Sequence, residues 1–246
     1  MKILLIGYGK MGKAIEQIAL ERGHSISGIV GETDNIEAVE KGTHDVAIEF
    51  TQPASAVNNI ITCFKKKLPV VSGTTGWVSK MNRVSDVCEQ EQGTFFYASN
   101  FSLGVNLFFM LNEHFAELMG RFGSEYQVSI DETHHTEKRD SPSGTAISIA
   151  EGIISHHKGL NTWQEAAQKA EHTGEIIPIQ SFREEKVPGT HVVKYQSEID
   201  TIELKHTAHS RKGFALGAVI AAEWLKDKTG FYGMKDLLSE PITSSI

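Results

Sequence analysis

The sequence predicts an α/β protein: an open parallel sheet covered by helices, with a second α+β domain of mixed sheet inserted into it. Three observations carry this. Over the first hundred residues, short apolar runs alternate with helix-period segments, the order expected of βαβ units. Near Asn100 the order changes, to a long helix, a strand, a helix and then three strand-like runs. Finally, Gly213 to Lys226 is a strongly apolar helix that returns the chain to the first domain. The expected domains are residues 1–103 with 211–246, and residues 104–210.

The elements follow in order. Lys2 to Ile6 is a run fit for a strand buried on both faces. Gly7 to Gly12 makes a turn. Lys13 to Arg22 reads as a helix with Ala14, Ile15, Ile18 and Ala19 on one face and Gly23 as its stop. Ile26 to Val30 and Asp45 to Phe50 are strands, and a helix runs from Pro53 to Lys66. Pro69 to Ser72, a helix from Val78 to Glu91, and Thr94 to Ala98 complete the alternation. A helix from Gly104 to Gly120 leads to Tyr126–Ile130, where apolar and polar residues alternate as on a half-buried strand. Thr145 to His157 is a helix, and Leu160 to Glu175 is polar, part helix and part loop. Ile176–Arg183, His191–Gln196 and Thr201–Thr207 are strands, and the tail Thr243–Ile246 is expected to fray.

Bulk properties exclude several classes. A 40% hydrophobic content supports a substantial core. The net charge of −7 argues against a general nucleic-acid or anionic-membrane binder, although Lys138-Arg139 suggests a local basic pocket. The first apolar run, Ile3 to Ile6, is too short for a signal peptide or a spanning helix. Cys63 and Cys88 have no metal-type spacing and fall in predicted helices, as idle thiols do. A cytoplasmic protein fits all of this.

Gly7, Tyr8, Gly9, Lys10, Met11 and Gly12 form G-x-G-x-x-G between a buried strand and a helix. The glycines permit a tight turn, close approach to a pyrophosphate and close helix–strand packing. The helix N-terminus then offers unpaired N–H groups to the phosphates. Glu32, just after the second strand, stands where an acid hydrogen-bonds adenosine ribose hydroxyls. It is also an ordinary loop acid in composition. With the alternation of elements, the motif makes the first domain a Rossmann dinucleotide-binding domain. A carboxylate at Glu32 repels the extra phosphate of NADP, so NADH is favoured, while Lys10 or Lys13 would support NADPH.

The densest cluster of chemistry-capable side chains is Glu132 to Thr145. It holds His134, His135, Lys138, Arg139 and Asp140, then Pro142, Ser143, Gly144 and Thr145. It lies between a strand and a helix N-terminus, where rigid elements aim side chains. Strand parity puts Tyr126, Val128, Ile130, Glu132 and His134 on one face and His135 on the other. Other readings exist for these residues. A His-His pair also occurs on surfaces and at metal sites, but no further His, Cys or carboxylate stands at a convincing zinc spacing. Pro142 to Thr145 would serve equally as an N-cap and turn.

This run resembles the signature of the 4-hydroxy-tetrahydrodipicolinate reductase (dihydrodipicolinate reductase) family, Glu-x-His-His-x-x-Lys-x-Asp-x-Pro-Ser-Gly-Thr. Glu132, His134, His135, Lys138, Asp140, Pro142, Ser143, Gly144 and Thr145 all match it. The resemblance implies NAD(P)H-dependent reduction of a cyclic dicarboxylate in lysine and diaminopimelate synthesis, with hydride going to C4 and a proton to C3. It implies that His134 is the proton donor or acceptor, with Lys138 as second donor. His135 touches one substrate carboxylate, and Ser143, Gly144 and Thr145 hold the other. Gly73, Thr74 and Thr75, and Ala98, Ser99, Asn100 and Phe101, would contact the nicotinamide ribose and amide. Hinges would lie at Asn100–Gly104 and near Ser210-Arg211, with Arg211 within reach of the site on closure. The second domain would build a homotetramer. His206 is expected to be packed rather than catalytic. Thr136-Glu137 and Arg139 depart from the commoner pattern, and Thr33–His44 is short enough to lack a helix seen in longer relatives. Two rivals remain: a semialdehyde dehydrogenase, which needs a nucleophilic cysteine, and a nicotinamide-nucleotide sensor without catalysis.

Overall fold

The computed structural model describes residues 1–123, 125–166, 174–210 and 212–240. In chain order the elements are β1 (Lys2–Ile6), α1 (Lys10–Glu21), β2 (Ser25–Val30), β3 (Val46–Glu49), α2 (Pro53–Lys65), β4 (Val70–Ser72), α3 (Met81–Gln90) and β5 (Thr94–Tyr97). There follow α4 (Leu103–Met119), β6 (Gln127–His134), α5 (Gly144–His156), β7 (Thr162–Glu165), β8 (Ile176–Arg183), β9 (Gly189–Gln196) and β10 (Thr201–Ala208). The chain closes with α6 (Lys212–Trp224), β11 (Gly230–Tyr232) and α7 (Met234–Ser239). It divides into two compact units, between Leu103 and Gly104 and again just before Lys212. Among the described residues no helix is long and apolar enough to cross a membrane.

The first unit is a parallel sheet of order β11-β5-β4-β3-β1-β2. Alternate residues of β1 feed its two faces. Ile3 and Leu5 pack with Ile15 and Ala19 of α1 and Ala218 and Val219 of α6. Leu4 and Ile6 pack with Ile60 and Phe64 of α2 and Val84 of α3. Burial on both sides is why Ile3–Ile6, Val46–Ile48 and Val70-Val71 are apolar throughout.

Several boundaries differ from expectation. Helix α1 starts at Lys10, not Lys13, so Lys10, Met11 and Gly12 are helical. The extended Gly9 serves as N-cap, and the helix can begin there because Gly12 brings no side chain to its first turn. A Cβ at Gly12 would stand 2.2 Å from the Gly7 carbonyl oxygen. The segment after β2, by contrast, holds only one 3₁₀ turn, Ile36–Ala38, in keeping with the helix expected to be missing there. Strand β11 and helix α7 were not expected. The three residues of β11 carry too little pattern, and the strand is defined by pairing with β5, where Phe231 stacks on Phe95 at 4.9 Å.

The second unit is a mixed sheet of order β10-β9-β6-β8-β7, with β6, β8 and β7 parallel and β9 antiparallel to both its neighbours. Ile130, Ile177, Ile179, Val193 and Tyr195 pack against Phe108 and Ala116 of α4 and Ile149 and Ile153 of α5. Strand β6 runs to His134, four residues past the expected Ile130, so Glu132 and His134 belong to a strand rather than a loop. Strand β7 lies where a polar helix or loop was expected; it is an edge strand paired on one side with β8. The rest of that segment (167–173), Arg211 of the expected second hinge and the tail Thr243–Ile246 lie outside the described residues.

Candidate active site

In the first unit the strand order reverses between β1 and β3. The loops after these strands therefore diverge and leave a crevice at the carboxyl edge, the usual ligand position in such sheets. A cleft of about 570 Å³ lies there, lined by Gly7, Tyr8, Gly9, Gly31, Glu32 and Asp34 on one side and by Phe50, Thr51, Gln52 and Ser55 on the other. Gly7 has φ +92°, and a Cβ on it would meet the Phe50 carbonyl oxygen at 2.1 Å, so only glycine lets the chain turn there. Helix α1 opens on the cleft with neither a side-chain cap nor an acid in its first turn. Its orphan N–H groups and dipole suit a phosphate. Glu32 is exposed at the rim, and nearby Asp34 accepts a hydrogen bond from Gly31 N–H at 2.7 Å.

Gly73, Thr74 and Thr75 follow β4, and Ala98, Ser99, Asn100 and Phe101 follow β5, farther along the same edge. They do not line the cleft itself. Trp77 holds the first loop through an Nε1–H bond to the Thr74 carbonyl at 2.6 Å. Ala98 and Phe101 are core side chains, which leaves their backbone as the ligand-capable part.

In the second unit, strand parity buries Val128, Ile130, Glu132 and His134 on one face of β6. Glu132 is 0% exposed and is the hub of the cluster. Its Oε1 accepts from the Ser143 N–H at 3.1 Å and from the Arg183 guanidinium at 3.2 Å. Its Oε2 lies 2.8 Å from His134 Nδ1. Burial alone would raise the Glu132 carboxyl. The contacts from His134 and Ser143 outweigh it and hold the group well below the usual carboxylate range.

His191 completes the cluster. It is 4% exposed, its Nε2 sits 3.2 Å from the Ser143 hydroxyl, and its ring crosses that of His134 at 5.1 Å. Burial, and then the neighbouring His134, push its pKa down to about 4, so it is neutral at pH 7. Glu132, His134 and His191 bring donor atoms within 4.8 Å of one another, a set compatible with a divalent metal. The third donor comes from His191, which folding rather than sequence spacing brings beside Glu132 and His134. Arg183 on Glu132 and Ser143 on His191 engage two of those three groups.

The loop after β6 presents the remaining groups. Lys138 Nζ donates to both oxygens of Asp140, at 2.7 and 2.9 Å, and holds that carboxyl below its ordinary value. Arg183 also bonds the Asp140 carbonyl at 2.8 Å, so one guanidinium braces both Glu132 and the loop carrying Lys138. His135 points into a separate cleft of about 470 Å³ with Thr136, Glu137, Glu185 and Lys186. Ser143 is buried and caps α5 by accepting from the Ala146 N–H at 3.2 Å. Gly144 is exposed and Thr145 half-buried in the first turn of that helix, where N–H groups lack intrahelical acceptors.

Of the Glu132–Thr145 run, Glu132, His134 and Ser143 meet in one buried cluster, while His135 lines a separate cleft and Lys138 pairs with Asp140; Arg183 and His191 were missed as partners of Glu132. Both sit on strands recognised from sequence. Only register pairs Glu132 with His191 and His134 with Arg183. The dehydrogenase alternative loses its nucleophile, since Cys63 and Cys88 are both buried and burial pushes both thiols up.

The family model described as "Dihydrodipicolinate reductase, N-terminus" matches residues 1–101, and that described as "Dihydrodipicolinate reductase, C-terminus" matches residues 104–238. The chain is 51% identical to the 4-hydroxy-tetrahydrodipicolinate reductase of Christiangramia forsetii, over 98% of each chain. It is 36% identical to that of Zymomonas mobilis over 97% of each. The dipicolinate-bound dihydrodipicolinate reductase of Paenisporosarcina sp. TG-14 shares the fold with a TM-score of 0.75 at 21% identity, covering 96% of this chain and 99% of that one.

Proposed function

The chain belongs to the dihydrodipicolinate reductase family, and on that premise we propose how its residues divide the work. It is an NAD(P)H-dependent 4-hydroxy-tetrahydrodipicolinate reductase of lysine and diaminopimelate synthesis. Loss of water removes the 4-hydroxyl together with a C3 hydrogen; a reduced nicotinamide held by the first unit would then supply the hydride for ring C4, and a proton returns to C3. Residues 1–103 with 211–246 bind the nucleotide, and residues 104–210 bind the dicarboxylate.

His134 delivers the proton to C3, because imidazole changes protonation near neutral pH. The observation that carries this is the buried Glu132 carboxylate 2.8 Å from His134 Nδ1, a contact that orients the ring and leaves Nε2 as the exchanging atom. Lys138 is the second donor, braced by Asp140. His135 meets one substrate carboxylate. Gly144 and Thr145 hold the other through N–H groups and the Thr145 hydroxyl, on a helix capped by Ser143. The nucleotide pyrophosphate takes the loop of Gly7, Tyr8 and Gly9 and the first turn of Lys10, Met11 and Gly12. Gly73 to Thr75 and Ala98 to Phe101 take the nicotinamide side.

Glu32 at the cleft rim, with Asp34 beside it, favours NADH over NADPH. The working protein is a cytoplasmic homotetramer that binds neither nucleic acid nor membrane. Exposed Leu107, Leu111 and Leu118 on α4 support association through the second unit. The test is NADH oxidation with substrate made in situ from pyruvate and aspartate semialdehyde by the preceding synthase. Turnover with a lower Michaelis constant for NADH than for NADPH is expected. Equal or better efficiency with NADPH would reject the preference, and a monomer by light scattering at micromolar concentration would reject the assembly.

A further inference from the structure

Strand β3 ends in a group that packing does not require. Val46, Ala47 and Ile48 are apolar, yet the next residue, Glu49, is a fully buried acid. Its Oε2 accepts from the Ser72 hydroxyl at 2.6 Å, and Ser72 is its register partner on β4. Its Oε1 accepts from the Thr74 hydroxyl at 2.9 Å and also from the Thr51 hydroxyl. Thr74 Oγ1 in turn accepts from the Thr51 N–H at 2.8 Å. Among the described residues no ion pair reaches Glu49.

Burying a carboxylate without a cation is costly, so an apolar residue would serve the sheet better. What the acid adds is a clasp between two loops. Thr51 belongs to the segment after β3 that lines the nucleotide cleft, and Thr74 belongs to Gly73–Gly76 after β4. All three hydroxyl donors converge on one carboxylate, and none of these contacts involves the cleft surface of Gly7, Tyr8 or Gly9.

We propose that Glu49 is a positioning residue for the cofactor, fixing the loops after β3 and β4 in the shape that receives the reduced nucleotide. The inference rests on the cleft being the nucleotide site. A rigid inner layer of this kind sets the geometry of groups that touch ligand without touching it itself.

The test compares NADH dissociation constants, from nucleotide fluorescence, with steady-state constants for the full-length protein. Glu49→Gln should weaken NADH binding and raise its KM about fivefold, as loss of a charge-assisted buried hydrogen bond does. Turnover at saturating NADH and the KM for the dicarboxylate should stay within about twofold, a split that general destabilisation does not produce. Glu49→Asp, which keeps the charge, should recover part of the affinity. If Glu49→Gln does not fold, Ser72→Ala removes one donor to the same carboxylate and should weaken NADH about threefold. Gly9→Leu fills the cleft and serves as control. Normal NADH binding by Gly9→Leu would overturn the cleft reading itself. Loss of binding in Gly9→Leu alongside unchanged affinity in Glu49→Gln or Ser72→Ala would overturn the role of Glu49 alone.

Discussion

Replacing Glu132 with Gln tests the hub of the second unit. The amide keeps the volume and one acceptor for the Ser143 N–H, but it removes the charge facing Arg183 and His134. Breaking a buried charge pair by changing one partner costs about 3–5 kcal/mol. Arg183 is 22% exposed and keeps the Phe182 and Asp140 carbonyls as acceptors, which places the expected loss at the low end, about 3 kcal/mol at pH 7. The loss depends on pH with a definite sign. The folded carboxyl titrates well below its unfolded value of about 4.3, so the unfolded chain takes up the proton first as pH falls. The wild-type advantage is complete above about pH 5 and drains away below about pH 4. Glutamine has no proton to exchange, so the gap between the two proteins narrows over the same range. Urea unfolding followed by circular dichroism at pH 7, 5, 4 and 3 measures it. A gap under about 1 kcal/mol at pH 7, or one of constant size down to pH 3, would refute the assignment of Glu132 as an ionised, stabilising hub.

His134→Gln should cut turnover about a hundredfold while leaving the KM for NADH within about twofold, and Lys138→Ala should act in the same direction. Wild-type turnover in both would remove these residues from the proton-transfer role. Gly12→Ala places a methyl 2.2 Å from the Gly7 carbonyl oxygen, so α1 must shift; a loss of about 2 kcal/mol and weaker NADH binding are expected, and an unchanged melting temperature would contradict this packing. Cys63 and Cys88 should ignore a thiol reagent such as dithionitrobenzoate in the native protein and react only on unfolding. Rapid labelling of the native protein would show that their burial is wrong.

Much of this molecule is written in local pattern. The apolar run Ile3–Ile6 fits only a strand buried on both faces, and the alternation through Tyr97 commits the first unit to a parallel sheet. Parity along β6 alone puts Glu132 and His134 on one face and His135 on the other. These features are legible because they depend on neighbours two to four residues away, the distance over which helix and strand periodicities act. Strand β11 is three residues long and β7 is a polar edge, so neither carries a period to read; each is defined by the strand beside it. The start of α1 at Lys10 depends on a Gly12–Gly7 approach that spacing alone does not specify.

The amino-acid order by itself determined the Gly7–Gly12 glycine motif, the Glu132–Thr145 run and the family to which they belong. Tertiary structure decided which groups surround that run. Arg183 and His191 lie 51 and 59 residues beyond Glu132 and reach it because β8 and β9 flank β6 in a particular register. Glu49 meets Thr74 because β3 and β4 lie side by side. Register is set by burial summed over the whole sheet, and no local window of sequence contains that sum.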